Sequence, residues 1–134
     1  MPNKKKDRRI GQSSRSILNL VRGTSEKSPQ EAYYFYMGCQ LQAIRMGKWK
    51  LHFQHGYRTM AGKPGGTNGI PTRYAAAKIG LALFDLDKDI GETTDVKANH
   101  PEVVSKLQAL GEAMRNELGD ANRQGKGRRA AGQL

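Results

Sequence analysis

The chain has 134 residues, a formal net charge of +11 and one cysteine, Cys39. That length suffices for a single small domain burying about 65–70% of its unfolded surface, and a lone cysteine excludes an intramolecular disulfide. No segment approaches the roughly 20 apolar residues of a membrane-spanning helix, and the basic start M-P-N-K-K-K-D-R-R has no apolar run of a secretory signal behind it. The chain as translated is therefore expected to stay in the cytoplasm. Its charge is uneven: residues 1–27 carry eight Lys/Arg against two acids, 28–119 eleven against nine, and 120–134 four against one. The middle has the near-neutral balance of an ordinary folded unit, and the ends read as solvated basic tails.

In chain order, residues 1–12 read as a disordered basic lead-in. Residues 13–27 read as a linker, with a short helix around Ile17, Leu18, Leu20 and Val21 that Gly23 closes. Residues 33–37, Y-Y-F-Y-M, are aromatic and extended in character, and a second strand is expected at 41–46. In residues 48–53, Trp49, Leu51 and Phe53 alternate with Lys48, Lys50 and His52. Period two is what a half-buried strand requires, because successive side chains point to opposite faces. Gly47 supplies the positive φ of the tight turn between the two strands.

Residues 54–80 read as a long Gly-rich connection broken by Pro64 and Pro71, with a helical turn at 74–78. A further strand is expected at 81–86, then an acidic turn. The last element is a helix with Pro101 at N1 and Glu102 beside it at the positive end of the dipole. Val103, Leu107, Leu110, Met114 and Leu118 lie along one face, and Gly119 closes it. The expected fold class is α+β: a small antiparallel sheet of about four strands in residues 28–119, packed against one C-terminal helix. Residues 120–134 are expected to be a basic disordered tail.

Several strings invite chemical readings. D-L-D-K-D-I-G-E at 85–92 resembles a calcium loop, but the EF-hand needs Gly at its sixth position and Glu at its twelfth. Ile90 and Val96 stand there, so the string reads as a structural turn. His52 and His55 are spaced like part of a metal site with no third ligand. Lys48 and Lys50 read as the wet face of a strand.

Three motifs, in order, resemble the C-terminal subdomain of the arylsulfatase family. A-I-R-M-G-K-W-K-L-H-F at 43–53 is similar to the hairpin that opens it. L-F-D-L-D-K-D-I-G-E-T-T-D-V at 83–96 is similar to the strand and turn L-Y/F-D-L-x-x-D-P-x-E-T-x-N-L, with Ile90 in place of the usual Pro. H-P-E-V-V-S-K-L at 100–107 resembles the start of the last helix. A looser likeness at 10–23 extends the resemblance over roughly residues 9–120.

The resemblance implies a hydrolase of sulfuric esters. That family uses a formylglycine made from the Cys or Ser of a C/S-x-P-x-R motif, and a divalent cation, usually calcium, in an Asp-rich site. Here Cys39 precedes Gln-Leu-Gln-Ala, and Ser13 and Ser28 fail the same test. The chain therefore resembles the tail of a sulfatase without its catalytic half, with no catalytic residue, metal ligand or cofactor of its own. Full-length relatives are commonly exported. The implied partner is a sulfatase catalytic domain, in cis or in trans. His55, Tyr57 and Arg58 directly follow the hairpin and are expected at the edge of the substrate pocket, where the planar fork of Arg suits an oxyanion. Two other readings stand beside this one. One is a small basic nucleic-acid-binding protein, using the charged ends and the 33–36 aromatics. The other is a complementing subunit of a separately encoded sulfatase core.

Overall fold

The computed structural model describes residues 17–127; the expected lead-in at 1–12 and the tail beyond 127 lie outside them. α1 spans Leu18–Val21 and buries none of its residues; Ile17, Leu18 and Val21 remain exposed. The strands are β1 (Tyr33–Met37), β2 (Gln40–Met46), β3 (Trp49–His52), β4 (His55–Thr59), β5 (Ala75–Ile79) and β6 (Ala82–Asp85). A 3-10 turn at Lys97–Asn99 leads into α2 (Pro101–Leu118), and β7 (Gly119–Asp120) and β8 (Arg123–Gln124) follow.

The expected α+β architecture is present. β1, β2, β3 and β6 form one antiparallel sheet in that order, and α2 packs on one side of it. Gly38 and Gly47, at φ 57° and 58°, turn the chain between β1 and β2 and between β2 and β3. A bulge between Phe35 and Tyr36 shifts the β1 register. On the helix side Leu41, Ile44, Leu51, Phe53 and Leu83 meet Leu107, ringed by Tyr34, Tyr36, Met46, Trp49, Val103 and Val104. Two of the four aromatics at 33–36 thus pack against the core. Tyr33 and Phe35 are exposed on the other side.

The centre of the helix stripe differs from the sequence expectation. Leu107 and Gly111 are its two fully buried residues, and Leu118 is exposed. A Cβ on Gly111 would lie 2.6 Å from Cζ of Phe53 and 3.2 Å from Cδ1 of Ile44. Glycine costs a helix interior about 1 kcal/mol relative to alanine, and here it lets the Phe53 ring reach the helix backbone. The Arg115 guanidinium covers that ring from 4.2 Å.

Residues 54–80 are not the unstructured connection that their glycines and prolines suggest. β4 and β5 pair antiparallel, from His55 with Ile79 to Thr59 with Ala75, and form a two-stranded ribbon that leaves the sheet between β3 and β6. The helical turn expected at 74–78 is strand β5. A run this short gains little from helix formation on its own, and the hydrogen bonds offered by β4 override the helix preference of three alanines.

Residue 120, read from sequence as the start of a tail, belongs to the folded unit. Gly119 and Asp120 pair with Gln124 and Arg123. Oδ1 of Asp120 accepts the Leu41 N–H at 3.1 Å, and Oδ2 accepts Nε–H of Arg115 at 2.5 Å. The carboxylate thus ties the end of α2 to β2. Beyond it, the Lys126 and Gly127 amides donate to the Asn116 and Glu117 carbonyls at 2.8 Å each, which closes the last turn of the helix.

The different burial of two leucines on one helix gives a direct test. Leu107→Ala is expected to cost about 2–5 kcal/mol, and Leu118→Ala under about 1 kcal/mol, as for a surface change. Urea unfolding followed by circular dichroism measures both.

Candidate functional site

Strand alternation sends Leu51 to the helix and turns Lys50 and His52 to the opposite side of the sheet. There Lys50 lies across from Phe84 and His52 across from Ala82. What covers them is the acidic turn after β6, folded back by its own carboxylates. Asp89 nucleates it, with Oδ2 accepting the Thr93 and Thr94 amides at 2.7 Å each. Those bonds, led by the one from Thr94, hold the Asp89 carboxyl below its usual range. Asp95 accepts the Leu83 and Lys97 amides at 3.0 Å, and Asp85 pairs with Lys48 at 2.8 Å. These acids shape a turn, as the sequence suggests. Among the described residues no three His, Cys, Asp or Glu side chains gather as metal ligands.

The folded turn brings Glu92 onto the sheet. One carboxylate oxygen receives Nζ of Lys50 at 2.5 Å and the other receives Nε2 of His52 at 2.6 Å. Burial pushes the Glu92 carboxyl up, but Lys50 and then His52 more than offset it, and the group lies below its ordinary range. His52 lies below the usual imidazole range, chiefly because burial disfavours its cation. Its other nitrogen, Nδ1, is buried with no hydrogen-bond partner among the described residues. Lys50, read from sequence as solvent-facing, has a side chain only 19% exposed, with Nζ 5.1 Å from the Phe35 ring centre.

His55 opens β4 and is buried, 8% exposed. Its Nδ1 donates to the Phe53 carbonyl at 2.7 Å, and its ring stacks on His52 with centroids 5.4 Å apart. Tyr57 follows two residues on, across from Ala77, and Arg58 lies across from Ala76; both are exposed. The three expected pocket residues are thus divided. Alternation puts His55 and Tyr57 on one face of the ribbon and Arg58 on the other. The structure stacks His55 on His52, whose Nε2 meets Glu92, and it does not bring Arg58 there. No local pattern joins Lys50 to Glu92, 42 residues away. The signals available in sequence are the alternation of β3 and a surplus of acids in the turn after β6.

A second concavity of about 510 Å³ lies beside the end of α2, between Tyr36, Cys39 and the β7–β8 hairpin. Its Tyr36 hydroxyl is engaged in structure, donating to the Gly119 carbonyl at 3.1 Å. Burial raises the Tyr36 hydroxyl above its usual range.

Sheet, turn and helix define an α+β module with one sheet face covered by the helix and the other covered by the turn except along β1, joined to a ribbon that carries polar side chains. The family model for the C-terminal region of aryl-sulfatase matches residues 28–131, and the chain belongs to that family. Steryl-sulfatase of Mus musculus is 29% identical over 117 residues, which is 78% of this chain and 19% of that protein. A solved structure from work on the metabolism of multiple glycosaminoglycans by Bacteroides thetaiotaomicron is 26% identical, with a TM-score of 0.49, and the match covers 78% of this chain and 20% of that one. The chain therefore spans about a fifth of the length of these relatives.

The shifted groups set an acid response. An imidazole whose folded pKa is depressed leaves the unfolded state binding more protons, so stability falls as pH drops below about 6.5, the ordinary histidine value. A carboxyl depressed in the fold, such as Glu92, adds a second loss as pH falls below its ordinary value of 4.5. Urea midpoints are expected to decline in these two stages. His52→Gln is expected to flatten the upper stage and leave the lower one.

Proposed function

We propose that this chain serves as the C-terminal subdomain of a sulfuric ester hydrolase. It completes the fold of a catalytic domain and borders the substrate pocket, and it hydrolyses nothing alone. The observation that carries this reading is the apolar row left uncovered on edge strand β1. The helix buries one face, while Tyr33, Phe35 and Met37 on edge strand β1 stay 52%, 43% and 70% exposed on the other. An apolar row on an unpaired edge is a surface that soluble proteins ordinarily cover. Its natural cover is the catalytic domain that relatives five times this length have room for.

On the same reading the ribbon borders the pocket. His55 and Tyr57 face along it, and Arg58 supplies a fork suited to the sulfate oxygens. The cation and the formylglycine belong to the catalytic domain. This chain's residues do not fit either group: Cys39 lacks the Pro and Arg of the modification motif, and no three His, Cys, Asp or Glu side chains gather as ligands among the described residues.

The chain alone is expected to release no 4-nitrophenol from 4-nitrophenyl sulfate above the uncatalysed rate. Turnover by the purified chain would overturn the reading. In an active enzyme containing this subdomain, Arg58→Ala is expected to raise KM about tenfold or more, as loss of a charged hydrogen bond does, with a smaller change in kcat. An unchanged KM would remove Arg58 from the pocket.

A further inference from the structure

The contacts around Glu92 end on His55, and they fix where its protons sit. A carbonyl oxygen can only accept, so the 2.7 Å contact with Phe53 O places a proton on Nδ1 of His55. A carboxylate likewise accepts, so the 2.6 Å contact with Glu92 places a proton on Nε2 of His52. The two rings lie 22° from parallel, and His52 also abuts Phe84 edge-on at 5.5 Å. His52 is a wedge between Phe84 and His55, and Glu92 and Lys50 hold its outer edge.

The backbone points the same way. Glu92 has φ 54°, in the left-handed region, although Gly91 stands beside it without a positive φ. A turn needing only that conformation is met at no steric cost by glycine. Strain kept on a glutamate marks a place where its side chain is required. Here the side chain reaches Lys50 and His52 together.

We propose that Lys50, Glu92 and His52 are positioning residues for His55. Through the stack on His52 they hold the His55 ring where its Nδ1–H meets the Phe53 carbonyl, with Nε2 turned to no described partner. In that tautomer Nε2 accepts, so the ligand group this suits is a hydrogen-bond donor, a hydroxyl on the alcohol part of a sulfate ester. The inference rests on the reading of His55 as a pocket-edge residue.

The test is long-range ¹H–¹⁵N NMR of the imidazoles in the full chain at neutral pH. The expected spectrum shows His55 as the Nδ1–H form and His52 as the Nε2–H form. Glu92→Gln is expected to weaken the tautomer preference of His52 and to move the His55 ring shifts, with the amide spectrum otherwise retained. Lys50→Gln is expected to act in the same sense and less strongly. His55 in the Nε2–H form, or His55 shifts unmoved in folded Glu92→Gln, would overturn the proposal. Should Glu92→Gln not fold, His52→Gln carries the same readout on the His55 ring. The experiment reads ring protons and not turnover, so it separates two failures. Correct tautomers with an unchanged KM in a His55→Ala enzyme would remove the pocket reading alone. A wrong tautomer would remove the positioning alone.

Discussion

A helix has one apolar stripe, and a four-stranded sheet has two faces. α2 can therefore close only one side of β1-β2-β3-β6, and the rest of the molecule is arranged around that shortage. On the helix side, burial is apolar and continuous from Leu41 to Leu107. On the other side, a polar turn covers β3 and β6, while β1 keeps an exposed aromatic row. β3 is where the two regimes meet, because its alternate residues serve opposite faces. The same strand supplies Leu51 to the core and Lys50 and His52 to the site.

The two closures differ in kind. Apolar burial is non-directional and sets stability in proportion to area. Partly exposed ion pairs add little to stability, but they set direction. Lys48, just before β3, pairs with Asp85 at the start of the turn, and Lys50 on β3 pairs with Glu92 further along it. That fixes which way the turn folds over the sheet. Burial keeps the His52 imidazole below its ordinary range, so the stacked pair forms without two cations in contact.

What was legible in the sequence was what is written locally. Alternation from Trp49 to Phe53, Gly47 at a tight turn, Pro101 at a helix start and Gly119 at its end each reflect forces acting within a few residues. The helix stripe was legible as a period but not in its centre, since Gly111 carries no hydrophobic signal and is defined by the Phe53 ring against it. The β4–β5 ribbon escaped notice because Ala75–Ile79 has little strand character, and its partner lies across a Gly- and Pro-rich tip. His55, Tyr57 and Arg58 look like one cluster along the chain, whereas strand geometry divides them. The grip of Glu92 was invisible because it depends on the fold-back of the turn over β3.

The ribbon also bears on how such a module can diversify. It leaves the sheet after β3 and returns at β6, and those two strands pair with each other directly. Lengthening a flexible excursion costs only about 0.6 kcal/mol for each doubling. Residues 60–74, at the far end of the ribbon, can therefore gain, lose or exchange side chains while the paired strands and the helix stay in register. The sheet and helix are thus a fixed frame around a segment whose length and side chains can vary.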